Sequence, residues 1–225
     1  FAFGYGVSDN QTLAFYLDSI SGKRGYNYGN SGYGTQQTLA LLQSQKLTKQ
    51  IDEKSGVLIH LFIDDHIARL IGSRRLIKLW AEDFPYYVLD GGELHRNGSF
   101  SSGRPLLTKL YKALSQSAFI DLFDIDIPWQ ISDNHIKLFG AVLEESKSEF
   151  LSQFPESEFL VVIAPSSKLS NRISAELRQR KINFLDLTDL INKNDKEYLI
   201  HWTEAHPNSN YYKSVAKAID SHLKP

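Results

Sequence analysis

A carboxylate two residues before a histidine, followed by Pro-Asn, marks the loop Thr203-Glu204-Ala205-His206-Pro207-Asn208, which runs into the amphipathic stretch Ser209–Leu223. That spacing presents an imidazole beside a carboxylate on a loop pinned by the helix behind it. Catalysis is one explanation, and a surface or capping histidine is the other. A second stretch, Asn27-Tyr28-Gly29-Asn30-Ser31-Gly32-Tyr33-Gly34, is a glycine-rich turn entering a helix. Backbone N–H groups exposed there stabilise anions or developing oxyanions, although a tight turn without a ligand has the same composition. A third, Ile63-Asp64-Asp65-His66, follows the apolar run Val57–Phe62, at the strand end where open α/β sheets place their ligand crevice. Metal binding by Asp64, Asp65 and His66 is disfavoured, because successive side chains of an extended segment point to opposite sides. The simpler expectation is that Asp64 caps the next helical turn and that Asp65 or His66 pairs with a neighbour such as Arg69. Asp121, Asp124 and Asp126 alternate with apolar residues but lack the glycine and terminal glutamate of a calcium loop. Neither a metal nor a cofactor is expected.

These residues need a scaffold, and the hydrophobic pattern supplies one. Val57–Phe62 and Phe159–Ala164 are continuous apolar runs, as in strands buried on both faces of a parallel sheet, and Ile182–Leu187 reads as a third strand with Asp186 near its end. Helices are expected over Gln11–Ile20, Thr35–Gln50, Leu106–Phe119, Asp133–Gln153, Ser167–Lys181 and Ser209–Leu223, with a short strand at Tyr26–Tyr28. Between 72 and 105 the periodicity fails. Leu76–Trp80 and Tyr86–Leu89 look extended, Asp90-Gly91-Gly92 is a hairpin turn, and 97–99 and 101–103 read as loops, so the stretch is taken as an insertion. Its aromatics Trp80, Phe84, Tyr86 and Tyr87 either line a substrate pocket or cover the core. His60, inside an apolar strand, reads as a satisfied core residue. The alternation of strands and helices predicts an α/β fold, three-layer α/β/α around a mainly parallel sheet, in one domain spanning 1–225.

Composition narrows the function classes. The chain has 25 Lys+Arg against 26 Asp+Glu and no run of five like charges, so no basic face is available to neutralise nucleic-acid phosphates. No apolar stretch approaches the roughly 18 residues of a membrane-spanning helix. With no cysteine, disulfides, thiolate metal sites and a cysteine nucleophile are excluded. The glycine order does not match G-x-G-x-x-G and no Gly-Lys-Ser/Thr follows, which argues against a nucleotide-binding protein. With no methionine and an abrupt opening on Phe1-Ala2-Phe3-Gly4, the sequence reads as a fragment of a longer chain.

Four stretches in order resemble the SGNH (GDSL-type) esterases and acylhydrolases. Phe1-Ala2-Phe3-Gly4-Tyr5-Gly6-Val7-Ser8-Asp9 resembles the segment directly after that family's Gly-Asp-Ser nucleophile motif, and Asn27-x-Gly29-x-x-Gly32-Tyr33-Gly34 is similar to its second block. The strand end after Val57–Phe62 is similar to its third, and Glu204-Ala205-His206-Pro207-Asn208 to its last. The resemblance implies a flavodoxin-like arrangement and a serine esterase working through an acyl-enzyme intermediate, with a small acyl group such as acetyl on a carbohydrate among the substrates. In its terms His206 is the general base, Glu204 orients the ring, and Gly32 offers its N–H to the oxyanion. Three features depart from the pattern. The nucleophilic serine and its strand would fall immediately before Phe1. Asp64 stands where the third block has an oxyanion-donating asparagine. Glu204 has one residue between it and the histidine, whereas Thr203 holds the position of the more usual aspartate. An O-acyltransferase on the same site, or a non-catalytic binding or scaffolding protein of this fold, are the alternatives. Family members with pocket insertions are often exported, which points toward the cell envelope, and the expected partner is a small-molecule or glycan ester.

Overall fold

The computed structural model describes residues 2–44, 46–192, 195–201 and 204–224, without the side chains of Asp121, Glu204 and Ala205. A short 3-10 turn at Asp9–Gln11 leads into α1 (Leu13–Ser21), where Thr12 Oγ1 accepts the Phe15 N–H at 3.3 Å and Gly22, at φ 67°, ends the helix in the left-handed region. The strand expected at Tyr26–Tyr28 does not form. That stretch is irregular, and its tyrosine hydroxyls donate to Glu53 and Gln50 outside any ladder.

Helix α2 (Thr35–Ser44) stops short of the expected Gln50. The reason is tertiary: Gln153, far along the chain, donates to the Leu42 carbonyl at 3.1 Å and accepts the Leu47 N–H at 2.8 Å, satisfying backbone groups that a continued helix would have used. After β1 (Val57–Phe62) and α3 (Asp65–Ile71), Gly72 at φ 58° closes the helix, its N–H returning to the Ala68 and Arg69 carbonyls.

The stretch read as an insertion then begins, and Leu76–Trp80 is not extended. Most of it belongs to α4 (Arg74–Leu79), because Leu76 and Ile77 pack with Ala81, Phe100 and Tyr111 in a small apolar cluster of their own. Strands β2 (Pro85–Asp90) and β3 (Glu93–Ser99) form the expected hairpin, with Gly91 and Gly92 at φ 57° and 93° supplying a turn only glycine adopts freely. The loop expected at 101–103 is a single turn, α5 (Phe100–Gly103), capped by Ser99.

One helix was expected over Leu106–Phe119, and two form: α6 (Pro105–Leu114) and α7 (Ala118–Leu122). Ser115 marks the break, donating to the Tyr111 carbonyl at 2.7 Å and accepting from the buried Arg74 guanidinium at 3.1 Å. Helix α8 (Asp133–Gln153) has the expected bounds, with Ser132 as cap. Then come β4 (Glu158–Ile163), α9 (Ser170–Gln179), β5 (Asn183–Asp186), the hairpin β6 (Leu199–His201) with β7 (Glu204–Pro207), and α10 (Ser209–Leu223).

The protein is mixed α/β with a parallel sheet of three strands in the order β1-β4-β5, in register from Val57↔Glu158 to Phe62↔Ile163 and from Leu160↔Asn183 to Ile163↔Asp186. Strand periodicity sends alternate residues to opposite faces. Leu58, Phe62, Phe159, Val161, Ile163 and Phe184 join a core with Leu39 and Leu42 of α2, Phe139, Val142 and Leu143 of α8, and Ile173 and Leu177 of α9. Ile59, Leu61, Leu160, Val162 and Leu185 join a second core with Leu13 and Leu17 of α1 and Tyr212, Val215 and Ile219 of α10. Tyr16 Oη and Ser209 Oγ, 2.5 Å apart, tie α1 to the start of α10. Among the described residues no helix is long and apolar enough to cross a membrane.

Candidate active site

His206 projects from β7, whose antiparallel pairing with β6 matches His201 to Glu204 and Leu199 to Pro207. Pro207 is buried, and Asn208 fastens the hairpin to the helix that follows. The Asn208 Oδ1 accepts the Asn210 and Tyr211 N–H groups at 2.9 and 3.3 Å, while its Nδ2 donates to the Glu197 and Leu199 carbonyls at 2.8 and 2.9 Å. One amide thus caps α10 and ties it to the start of the hairpin that carries the imidazole. The side chain of Glu204, the carboxylate proposed from the sequence, lies outside the described residues, as does Thr203, the other position weighed for it.

The opening segment of the chain wedges between this hairpin and the glycine turn. The Tyr5 ring lies 4.7 Å from the His206 ring, centroid to centroid. Gly6, at φ 80°, leaves room for Ile200 of β6, whose Cδ1 would lie 2.3 Å from a Cβ there. On the other side a Cβ on Gly29 would come within 2.6 Å of the Phe3 nitrogen, so only glycine lets the two backbones approach so closely. Three of the four stretches singled out in the sequence therefore meet around residues 2–6. Phe1 itself lies outside the described residues.

Gly32 occupies the third position of a turn closed by the Tyr33 N–H to the Asn30 carbonyl at 3.3 Å, and its φ of 76° suits a type II turn. The loop is fastened from below by α3. Arg69 Nη1 donates to the Tyr33 carbonyl at 2.5 Å, and Gln36 Nε2 returns to the Arg69 carbonyl at 2.7 Å. The Gly34 N–H is taken by Gln37 Oε1 at 2.8 Å. Beside Gly32 stands the half-exposed indole of Trp80, delivered by the end of α4, with Nε1 3.2 Å from where a Cβ on Gly32 would be.

Asp64 sits at the end of β1, but its carboxylate is turned to the loop after β4, where Oδ1 accepts the Ser167 hydroxyl at 2.5 Å and Oδ2 the Lys168 N–H at 2.8 Å. It precedes α3 without making a side-chain cap bond. Asp65 is exposed and 3.9 Å from Arg69, the pairing expected of it. Among the described residues no group of three or more His, Asp or Glu side chains could hold a metal ion.

Buried His60 and half-buried His66 form a separate pair, their rings 5.5 Å apart, with Thr35 Oγ1 3.2 Å from His60 Nε2. Burial pushes His60 down to about 4, and burial, then the neighbouring His60 and Arg69, hold His66 well below the usual histidine range. Both rings are kept neutral at physiological pH. At the end of β5, burial alone would raise Asp186, but donors from Ser170, Thr188 and Ser174 outweigh it and lower its pKa.

Sequence reasoning missed Tyr5, Arg69 with Gln36, Ser167 and the approach of Trp80 to Gly32. Ser167, just past an apolar strand, carried a positional signal; the others are set by tertiary contact. The aromatics of the hairpin region divide. Tyr87 is core and donates to Gln43 Oε1 at 3.0 Å, Phe84 and Tyr86 pack against the small cluster beneath, and Trp80 alone of the four is exposed. Comparison of the chain with protein-family models, with curated proteins and with solved structures finds no match.

Proposed function

We propose that this protein is a serine esterase of SGNH type, cleaving an acyl ester through an acyl-enzyme intermediate. The observation that carries the proposal is the packing of His206 on Tyr5, with the glycine turn closed on the same opening segment at Phe3. An imidazole on a stapled hairpin, a glycine turn with φ above zero, and the chain segment that follows the expected nucleophile are the parts such a site needs. The apolar cores on the two faces of the sheet support a three-layer α/β/α arrangement, and the proposal treats 1–225 as one domain of it.

In this reading the serine immediately precedes Phe1. His206 takes its hydroxyl proton as the oxygen attacks the acyl carbon, Gly32 N–H and the serine's own N–H receive the oxyanion, and Glu204 orients the ring. The alcohol leaves with the proton from His206, and water repeats the sequence to release the acid. Interception of the same intermediate by another hydroxyl would make the protein an O-acyltransferase. A binding protein of the same fold is the second reading, favoured by the Asp64 carboxylate standing where a donor amide is expected.

The test uses protein that includes the residues preceding Phe1, assayed with p-nitrophenyl acetate and a fluorophosphonate probe. Turnover and labelling should be present and should fall by on the order of a thousandfold or more in His206→Ala, as for removal of a triad member. Equal turnover in that variant, or a residue other than serine before Phe1, would remove the esterase reading. Absence of both turnover and labelling in the unaltered protein favours the binding protein.

A further inference from the structure

Resting on the esterase reading, the site lacks one part. An oxyanion developing on the substrate carbonyl is stabilised by several converging donors, and the residue standing in the side-chain donor position, Asp64, is a carboxylate committed to Ser167 and Lys168. Even without those partners, an ionised carboxylate would repel the oxyanion. We propose that Trp80 supplies the missing donor through its indole Nε1–H.

Three observations support the assignment. First, Nε1 is the indole atom nearest the side of Gly32 where a side chain would stand, at 3.2 Å from a Cβ placed there, with Cε2 at 3.5 Å and Cδ1 at 3.9 Å. The polar atom of the ring therefore faces the turn. Second, neither the Gly32 N–H nor the Trp80 Nε1–H has an acceptor among the described residues, so two neighbouring donors are unspent. A tryptophan N–H ordinarily finds a partner when it is shielded, and here the shielding would come with the substrate. Third, the backbone that carries the ring is anchored, and its segment is packed against the turn. The Trp80 N–H closes α4 onto the Leu76 carbonyl at 3.0 Å, and the adjoining turn is packed through Ala81, which is fully buried. Tyr33, next to Gly32, meets Phe84 of the same segment edge-on at 6.3 Å between centroids.

The chemistry balances without any added reagent. Attack of the serine oxygen forms its bond to the acyl carbon and shifts the carbonyl π pair onto oxygen, while the hydroxyl proton passes to His206. The resulting oxyanion accepts hydrogen bonds from Gly32 N–H and Trp80 Nε1–H. Collapse restores the C=O bond and breaks the bond to the alcohol oxygen, which takes the proton back from the imidazolium. Because the indole donates but does not ionise, its contribution is independent of pH, unlike that of a lysine or histidine in the same place.

The experiment compares the unaltered protein, including the residues preceding Phe1, with His206→Ala, Trp80→Phe, and a protein in which Trp80 is replaced by 3-(3-benzothienyl)alanine, which keeps the ring's shape and removes the N–H. Steady-state hydrolysis of p-nitrophenyl acetate gives kcat and KM, and thermal unfolding reports folding. Both changes at position 80 should lower kcat by on the order of a hundredfold with KM within about threefold, the pattern of a lost oxyanion donor. If the benzothienyl protein keeps kcat within about threefold while His206→Ala is inactive, Trp80 is packing and the donor assignment falls, with the esterase reading intact. If the unaltered protein is inactive, or His206→Ala retains its rate, the esterase reading falls and takes the donor with it.

Discussion

A histidine inside an apolar strand must be held neutral or be matched by a charge, and His60 is held neutral. It shares the face of β1 that carries Leu58 and Phe62, is 6% exposed, and faces Thr35, His66 and Phe139. With its pKa lowered to about 4, the folded chain refuses a proton that the unfolded chain accepts from about pH 6.5 downward. Stability therefore falls as pH drops through that window and levels off below it, by about 3 kcal/mol for this group. Urea unfolding between pH 7 and 4 should show a flatter pH dependence for His60→Asn than for the unaltered protein, and equal slopes would contradict the assignment. The residues of the proposed site divide by how local their signals are. His206, Glu204 and Gly32 stand out because their neighbours in sequence announce a turn, a cap or a loop. Trp80 does not, since nothing near residue 80 indicates that it ends beside residue 32.

The same division holds for the elements. β1, α8 and α10 are visible in the sequence with their observed bounds, because a run of apolar residues or a long amphipathic period is set by the segment alone. Where a distant side chain decides, the sequence misleads: Gln153 ends α2, Ser115 with Arg74 breaks the helix after Leu114, and the packing of Leu76 and Ile77 makes a helix of a segment that looks extended. Asn208 is the opposite case, a local signal with a structural consequence larger than a cap. Its four hydrogen bonds join α10 to the start of β6. Asn208→Ala should cost about 1–2 kcal/mol as an N-cap loss, measured by urea unfolding, and should lower the proposed esterase activity through the hairpin that carries the imidazole. Asn208→Asp keeps the cap but not the two N–H donors, so it should recover most of the stability and less of the activity.

For the whole molecule the sheet is the organising layer, and among the described residues β1 pairs with a strand on one side only. An apolar parallel strand with an open edge is a template for another chain. The chain Phe1–Pro225 alone should therefore self-associate with rising concentration in analytical ultracentrifugation, and protein carrying the proposed preceding strand should not. A concentration-independent monomer of the shorter chain would show that the edge is already covered. The pairing of α1 with α10 carries a further consequence, for the order in which the molecule is made. Tyr16 and Ser209 are 193 positions apart, and Tyr5 meets His206 over a similar span. On the ribosome α1 must wait until the chain has been translated through α10, 193 positions further on at Ser209, and Leu13, Leu17 and Ile20 stay uncovered on that side in the meantime. The chemistry proposed for this protein is thus assembled only when α1 and α10 close over the second core, and a nascent chain still short of Ser209 cannot perform it.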